Sequence, residues 1–290
     1  MPTCDFGRIW CVAMAIYHFS AKIISRAAGS SALAAAAYRS ASRLHDERLG
    51  RHHDFSNKAG VVHSEVMLPD GAPEEWHDRE KLWNAVEAAE LRKDAQLARE
   101  IEFAIPRELD QSEGICLARD FVEREFVARG MVADLNVHWD VAPDGSPKPH
   151  AHVMLGLRAV SDEGFGAKVR DWNRTELLTH WREAWAEHVN RRLAELDIDA
   201  RIDHRSLEAQ GIDLEPQHKI GPAASRMALE GMTVNGWKSI TPLPAPMARR
   251  SLPIPALRLT RSPTAKPHSP PVTLRCSCIG TAKGRISSTR

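Results

Sequence analysis

The feature that most restricts this chain is a pair of strand-like segments, 134–142 and 150–157, joined by Pro143-Asp144-Gly145-Ser146-Pro147-Lys148-Pro149. Turn-forming residues of this kind let the second segment fold straight back on the first, whereas a parallel pairing needs a crossover of about a dozen residues or more. An antiparallel hairpin is therefore expected, and the surrounding pattern interleaves further strands with helices. A strand-like alternation starts at Met14, with Ala15, Tyr17 and Phe19 set against Ile16, His18 and Ser20. The Ala-rich stretch from Ser30 to about Glu47 predicts a helix, with Ser30 or Ser31 as its N-cap. Residues 61–68 read as a strand closed by Pro69-Asp70-Gly71, and 78–97 as a helix capped by Asp78. An alternating strand over 99–105 ends at Pro106, and a helix over 112–129 runs from Ser112 to a stop at Gly130. A last helix, from about 173 to 196, carries Trp181 and Trp185. This order predicts an α+β domain in which helices pack against one antiparallel sheet.

The domain is expected over 14–230. Residues 1–13 show no clear pattern and read as an unstructured upstream extension, with Met14 the natural start. Beyond Glu230 the chain holds nine of its 18 prolines, ten of its 39 lysines and arginines and none of its 38 acidic residues. A tail over 231–290 of that composition predicts disorder, either as a non-folding appendage or as a segment that follows phosphates. The body left behind is net acidic, which weighs against a polyanionic substrate held by a global positive field. Such a substrate would need local basic patches and bound metal. Four of the five cysteines (Cys4, Cys11, Cys276 and Cys278) sit in the terminal segments, with only Cys116 between, so no ligand framework forms and a reducing, cytoplasmic setting is expected. No apolar run approaches the roughly 18 residues of a membrane span, and 9–19 lacks the layout of a signal peptide.

The strongest chemical signal lies on the hairpin. His150 and His152 are two apart on a strand and therefore share a face. With 142 paired opposite 150, His138 falls diagonally from His152, within reach of an imidazole. Three convergent imidazoles leave coordination positions open, as catalytic metal sites do, and their neutrality leaves the ion its full charge for a phosphodiester oxygen. The plain alternative is a polar face of an exposed hairpin. Glu100 and Glu102 also share a strand face. Either could orient a histidine N–H or act as a weak base, with Glu102 expected to lie deeper, or both could be solvated. Only two tyrosines are present. Tyr17 reads as packed. Tyr38 lies on the Ala-rich helix with Arg39 and Arg43 close by, and a helical tyrosine is ordinarily a packing residue.

The run Met14-Ala-Ile-Tyr-His-Phe-Ser-Ala-Lys22 followed by Ala35-Ala-Ala-Tyr38-Arg39-Ser40 closely resembles the start of the MobA/MobL relaxases, the MobQ-type or TraA-like group. Arg99-Glu100-Ile101-Glu102, Pro149-His150-Ala151-His152-Val153-Met154 and Ile202-Asp203-His204-Arg205-Ser206 continue the resemblance in order, over roughly 14–227. It implies an HUH-type nuclease fold, with the histidines on a central antiparallel sheet and the tyrosine on a flanking helix. It also implies nicking of one strand at a plasmid transfer origin, a 5′-phosphotyrosyl intermediate, later rejoining, and Mg²⁺ or Mn²⁺ as cofactor. Carried over by position, Tyr38 is the nucleophile and His138, His150 and His152 are the metal ligands. Lys22, Arg39 and Arg43 are the candidate phosphate contacts. The implied partners are single-stranded and hairpin DNA, other mobilisation proteins and a type IV secretion coupling protein.

Leu207 stands where the family often has tyrosine, and Pro216-Gln217-His218-Lys219 fits the family pattern only in part. No G-x-x-x-x-G-K-[ST] occurs, so no motor is expected. The change near 230 is expected to mark a truncated or rearranged relative with a foreign reading frame at its end. The competing expectations are an HUH replication initiator, a DNA-binding relaxase remnant that does not nick, and a structural metal site in an unrelated enzyme. A tyrosine preceding the histidines favours the relaxase over the initiator.

Overall fold

Period-two alternation in five strands gives this domain two unlike sheet faces. The computed structural model describes residues 13–142, 145–206 and 208–211. In chain order the elements are β1 (Ala13–Met14), β2 (Phe19–Ser25), α1 (Ala32–Ser40), β3 (Arg43–Asp46), β4 (Arg51–Asp54), β5 (Val61–Met67) and α2 (Arg79–Ala89). They continue with β6 (Gln96–Ala104), α3 (Gln111–Glu125), β7 (Ala133–Val141), β8 (Pro147–Leu155), β9 (Arg158–Ser161), β10 (Gly164–Lys168), α4 (Thr175–Glu195) and β11 (Ala200–Arg201). Strands β2-β6-β8-β7-β5 form one sheet, antiparallel at every junction. With flanking helices and a His-x-His strand at its middle, this is the α+β, HUH-type architecture that the resemblance implies.

On one face Ile101 and Phe103 of β6, Ala133, Leu135 and Val137 of β7, and Ala151 and Val153 of β8 are all fully buried. They pack with Phe121 of α3 and Trp181 and Trp185 of α4. Phe103 meets Trp185 at a 4.2 Å centroid distance. The alternate residues of the same strands are Asp134, Asn136, His138, His150, His152, Glu100 and Glu102, and they face the opposite way. Above that polar face lie α1 and α2, whose Ala32, Leu33, Ala36, Ala37, Leu82, Trp83 and Val86 form a second core. Alanines on the buried side of α1 let its backbone come close to the sheet.

Several boundaries differ from the sequence expectation. The alternation expected from Met14 settles into the sheet only at Phe19, because the chain first pairs β1 in parallel with β11. α1 ends at Ser40 rather than near Glu47. Ala41 takes a left-handed conformation (φ 51°), and the following residues form the unanticipated β3–β4 hairpin. α2 stops at Ala89 rather than 97, where Glu90 is held by Arg158 (2.8 Å) and Lys168 (3.0 Å) from the equally unanticipated β9–β10 hairpin. α3 is capped by Asp110, which accepts from the Glu113 N–H (2.8 Å), and not by Ser112. Residues 1–12 and the expected tail over 231–290 lie outside the described residues, and Ala13 is already in a strand. The compact unit described above runs through His204, and a second begins at Arg205. In the latter, Ser206 Oγ accepts from the Ala209 N–H at 3.2 Å.

The polar face is held together by Asp134, which is fully buried. It accepts from Arg79 (Nε to Oδ2, 2.9 Å), from Trp83 Nε1 (2.8 Å) and from Asn136 Nδ2 (2.9 Å). Asp134→Ala strands these donors, so chemical denaturation should report a loss of about 3–5 kcal/mol. A loss below about 1 kcal/mol, the net worth of an ordinary hydrogen bond, contradicts this role.

Candidate active site

The hairpin register decides how the histidines meet. His138 lies directly opposite His150, and Asn136 opposite His152. His138 therefore lies diagonally from His152 as expected, but the register differs from the expected pairing of 142 with 150, since His150 pairs with His138 instead. The turn is tighter than expected, with β8 starting at Pro147 and the Ala142 N–H bonded to Ser146 O at 2.8 Å. All three rings share the polar face, with centroids 5.1 Å apart for His138–His150, 4.8 Å for His138–His152 and 5.1 Å for His150–His152.

Each ring has one nitrogen already engaged by an acceptor. His138 Nε2 donates to Arg39 O (2.7 Å), His150 Nδ1 to Lys148 O (2.9 Å) and His152 Nδ1 to Glu100 Oε1 (2.9 Å). Because the partners only accept, these nitrogens carry the protons and each ring's other nitrogen keeps a lone pair. One ligand atom from each histidine lies within 4.8 Å of the other two. Burial, with neighbouring Lys58, His152 and His150 adding to it and the Arg39 carbonyl opposing it, pushes the His138 pKa down to about 4. Burial likewise lowers that of His150. Neutral, oriented and convergent imidazoles are a donor set that fits a divalent ion.

Glu100, not Glu102, is the carboxylate that hydrogen-bonds one of the three convergent histidines. Its side chain is 6 % exposed against 18 % for Glu102, the reverse of the expected order. Arg39 clasps it with both arms, Nε to Oε1 at 2.8 Å and Nη2 to Oε2 at 2.6 Å. Burial opposes ionisation, but the His152 and Arg39 bonds outweigh it and draw the carboxyl down to about 2. Glu102 lies 3.5 Å from His18 and 3.2 Å from Lys22. His18 foremost, and then Lys22, hold its carboxyl well below the usual range against the effect of burial.

Tyr38 sits on the open side of α1, 49 % exposed. Phe55 meets its ring edge-on at 5.3 Å, and Lys58 Nζ stands 4.2 Å above the ring centroid. Sequence reasoning missed both residues. Their only signal is an aromatic and a cation in a short loop ahead of Gly60, and that loop gains meaning once the β3–β4 hairpin is known to turn back beside Tyr38. Tyr17 is packed as expected, its hydroxyl donating to Arg182 O at 3.2 Å.

Beside Tyr38 runs a groove of about 840 Å³. Its lining includes the cations Lys22, Arg26, Arg39, Arg48, Arg51 and Lys93, with Glu100 as the single carboxylate. Lys22 and Arg39 are thus brought together as expected. Arg43 is not among them, since it points toward Asp54 on the exposed hairpin at 3.9 Å.

Residues 30–229 match the model of the MobA/MobL family. The "Conjugal transfer protein TraA" of Agrobacterium fabrum is 40% identical over 247 residues, covering 74% of this chain and 22% of that protein. The "Mobilization protein MobL" of Acidithiobacillus ferridurans is 38% identical, covering 73% of this chain and 63% of its own length. The chain thus spans about a fifth of the length of the TraA protein. A solved structure described as "Molecular Basis of Vancomycin Resistance Transfer in Staphylococcus aureus" superposes with a TM-score of 0.62 at 37% identity, over 66% of this chain and all of that one. Among the described residues no helix is long and apolar enough to cross a membrane.

Two outcomes follow from the site's electrostatics. Glu100→Gln cannot accept from both Arg39 and His152 as the carboxylate does, so Mn²⁺ affinity measured by calorimetry should fall about 10–100-fold, whereas Glu102→Gln leaves it unchanged. Equal effects from both substitutions contradict the assignment. His138 and His188 both have pKa values pushed down to about 4, chiefly by burial. Between about pH 6.5 and 4 the unfolded chain therefore binds more protons than the folded one, and stability must fall as pH falls through that window. Thermal melting of the metal-free protein at about pH 7 and about pH 5 should differ accordingly, and a flat profile rules the account out.

Proposed function

The chain belongs to the MobA/MobL family of conjugal-transfer and mobilisation proteins, and from that membership and the geometry of its site we propose that it is a relaxase nicking one DNA strand at a plasmid transfer origin. One observation carries the reading. Three histidines on the sheet each have one nitrogen held by an acceptor, and one of those acceptors, Arg39 O, belongs to the residue after Tyr38. The same contact that sets His138 for a metal thereby fixes the helix bearing the nucleophile.

His138, His150 and His152 would hold the ion, Mg²⁺ or Mn²⁺, which supplies positive charge to an oxygen of the scissile phosphodiester. Glu100 keeps the His152 Nδ1 proton in place, so the Nε2 lone pair stays directed into the site. Tyr38 Oη attacks phosphorus, the Oη–P bond forms as the P–O3′ bond breaks, and the phenol proton ends on the departing 3′ oxygen. The product is a 5′-phosphotyrosyl ester and a free 3′-hydroxyl. Rejoining is the reverse and needs no energy source, because the ester retains the energy of the broken bond. The cationic groove beside Tyr38 supports a single strand by neutralising its phosphates, and the partner DNA is a hairpin with the adjoining single strand at the origin. Further mobilisation proteins and a secretion coupling protein are proposed as partners in transfer.

The test is incubation with Mn²⁺ and a labelled single-stranded oligonucleotide carrying the transfer origin of the plasmid that encodes the chain. A protein–DNA adduct that survives denaturation should form, and should vanish in Tyr38→Phe or with chelator. An adduct that persists in Tyr38→Phe assigns the nucleophile elsewhere, and wild-type protein that binds the origin without an adduct is a non-nicking remnant.

A further inference from the structure

The loop between β4 and β5 is braced at both ends and delivers one cation to the face of Tyr38. At its start Asp54 Oδ1 accepts from the Ser56 N–H (3.0 Å) and Oγ (2.7 Å), and the Lys58 N–H bonds Phe55 O at 2.9 Å. At its end Gly60 adopts φ +93°, and its carbonyl accepts from the Trp139 N–H at 2.7 Å. That φ favours glycine, and a side chain at Gly60 would also have to displace the Asp140 carboxylate. Between these anchors Lys58 Nζ donates to Tyr38 O (3.1 Å) and lies over the ring at 4.2 Å from its centroid. Burial lowers the Lys58 pKa, with Asp140 of β7 opposing and Arg39 of α1 adding to it. Among the described residues no carboxylate pairs with Lys58 at salt-bridge distance, and Asp140 acts on it only from farther off.

We propose that Lys58 is a positioning residue for strand transfer, its ammonium held over the Tyr38 ring to stabilise the negative charge that ring bears as the Oη–P bond forms and again as it breaks. The inference rests on Tyr38 being the nucleophile. A cation over an aromatic face is attracted to its electron density, and more strongly as the ring oxygen loses its proton. The charge develops in passing from phenol to ester and in passing back, and it is absent from both end states. Lys58 therefore speeds nicking and rejoining alike without changing the balance between them. Holding the ring also restricts the directions from which Oη can reach phosphorus, and the hydrogen bond to Tyr38 O fixes the lysine to the residue it serves.

The experiment compares wild type, Lys58→Met and Lys58→Arg on the same labelled origin oligonucleotide with Mn²⁺, following adduct formation and rejoining in single turnover. Lys58→Met should slow both directions about tenfold, with the equilibrium fraction of adduct, the Kd for the oligonucleotide and the melting temperature all unaltered. Lys58→Arg, which keeps a cation over the ring, should recover most of the rate. Wild-type rates in Lys58→Met, or equal slowing in the methionine and arginine variants, overturn the inference. Wild type that forms no adduct through Tyr38 overturns the assignment of the nucleophile instead, so the two failures are distinguishable.

Discussion

Glu100 has more than one partner, and the arrangement of the site depends on that. One of its oxygens accepts from both Arg39 and His152, and the other is paired with Arg39 alone. A single buried carboxylate thus fastens the last turn of α1 to the middle strand of the sheet. Removing one member of such a buried set leaves the others charged or unsatisfied, at a cost of about 3–5 kcal/mol, so the contact is maintained by what its loss would expose. With Arg39 held, its carbonyl lies where His138 can donate to it. Helix and sheet then have a fixed relation, with the residue after Tyr38 tied to His138 directly and to His152 through Glu100.

The same device recurs where α1 begins. Glu87 is buried on α2 and accepts from the Ala32 N–H (2.9 Å), from Arg26 (2.6 Å) and from Arg48 (3.0 Å). Ser31 caps the helix and donates to Asp46, itself fully buried, at 2.6 Å. Short helices are marginal on propensity alone, and α1 has only nine residues. Its position comes from carboxylates at both ends. These contacts also account for the charge of the molecule. A chain whose body is net acidic presents a cationic groove because Glu87 and Glu100 are turned inward, each gripping arginines whose other sides line the groove. The sequence-level objection to a polyanionic substrate counted those acids as surface charge.

A sheet with one apolar and one polar face needs cover on both sides, and the two covers differ in kind. α3 and α4 meet the apolar face with aromatics such as Phe121, Trp181 and Trp185, which exclude water. α1 and α2 meet the polar face with alanines, with Leu33, Leu82, Trp83 and Val86, and with specific acceptors and donors, burying His138 and leaving His150 and His152 partly exposed. Asp134, Asn136 and Ser64 continue the polar row away from the site as a closed hydrogen-bonded network. The histidines are the part of the row where lone pairs remain free.

The sequence by itself determined the architecture: an antiparallel hairpin, His150 and His152 on one face with His138 on the partner strand, and an Ala-rich helix carrying Tyr38. These are local consequences of period two, turn chemistry and helix propensity, and each can be read within a few residues. It also supplied the family resemblance, without which Tyr38 reads as packing. Only the tertiary structure decided the rest. The hairpin register opposes His138 to His150 because the turn closes at Ser146. α1 stops at Ser40 because a hairpin must start within two residues of it. Glu100 outranks Glu102 because Arg39, 61 positions away in sequence, reaches one and not the other. Lys58 and Phe55 reach Tyr38 only once that hairpin has turned the chain back. Sequence patterns encode which face a residue takes, but which partner it meets on that face is settled by packing between distant segments.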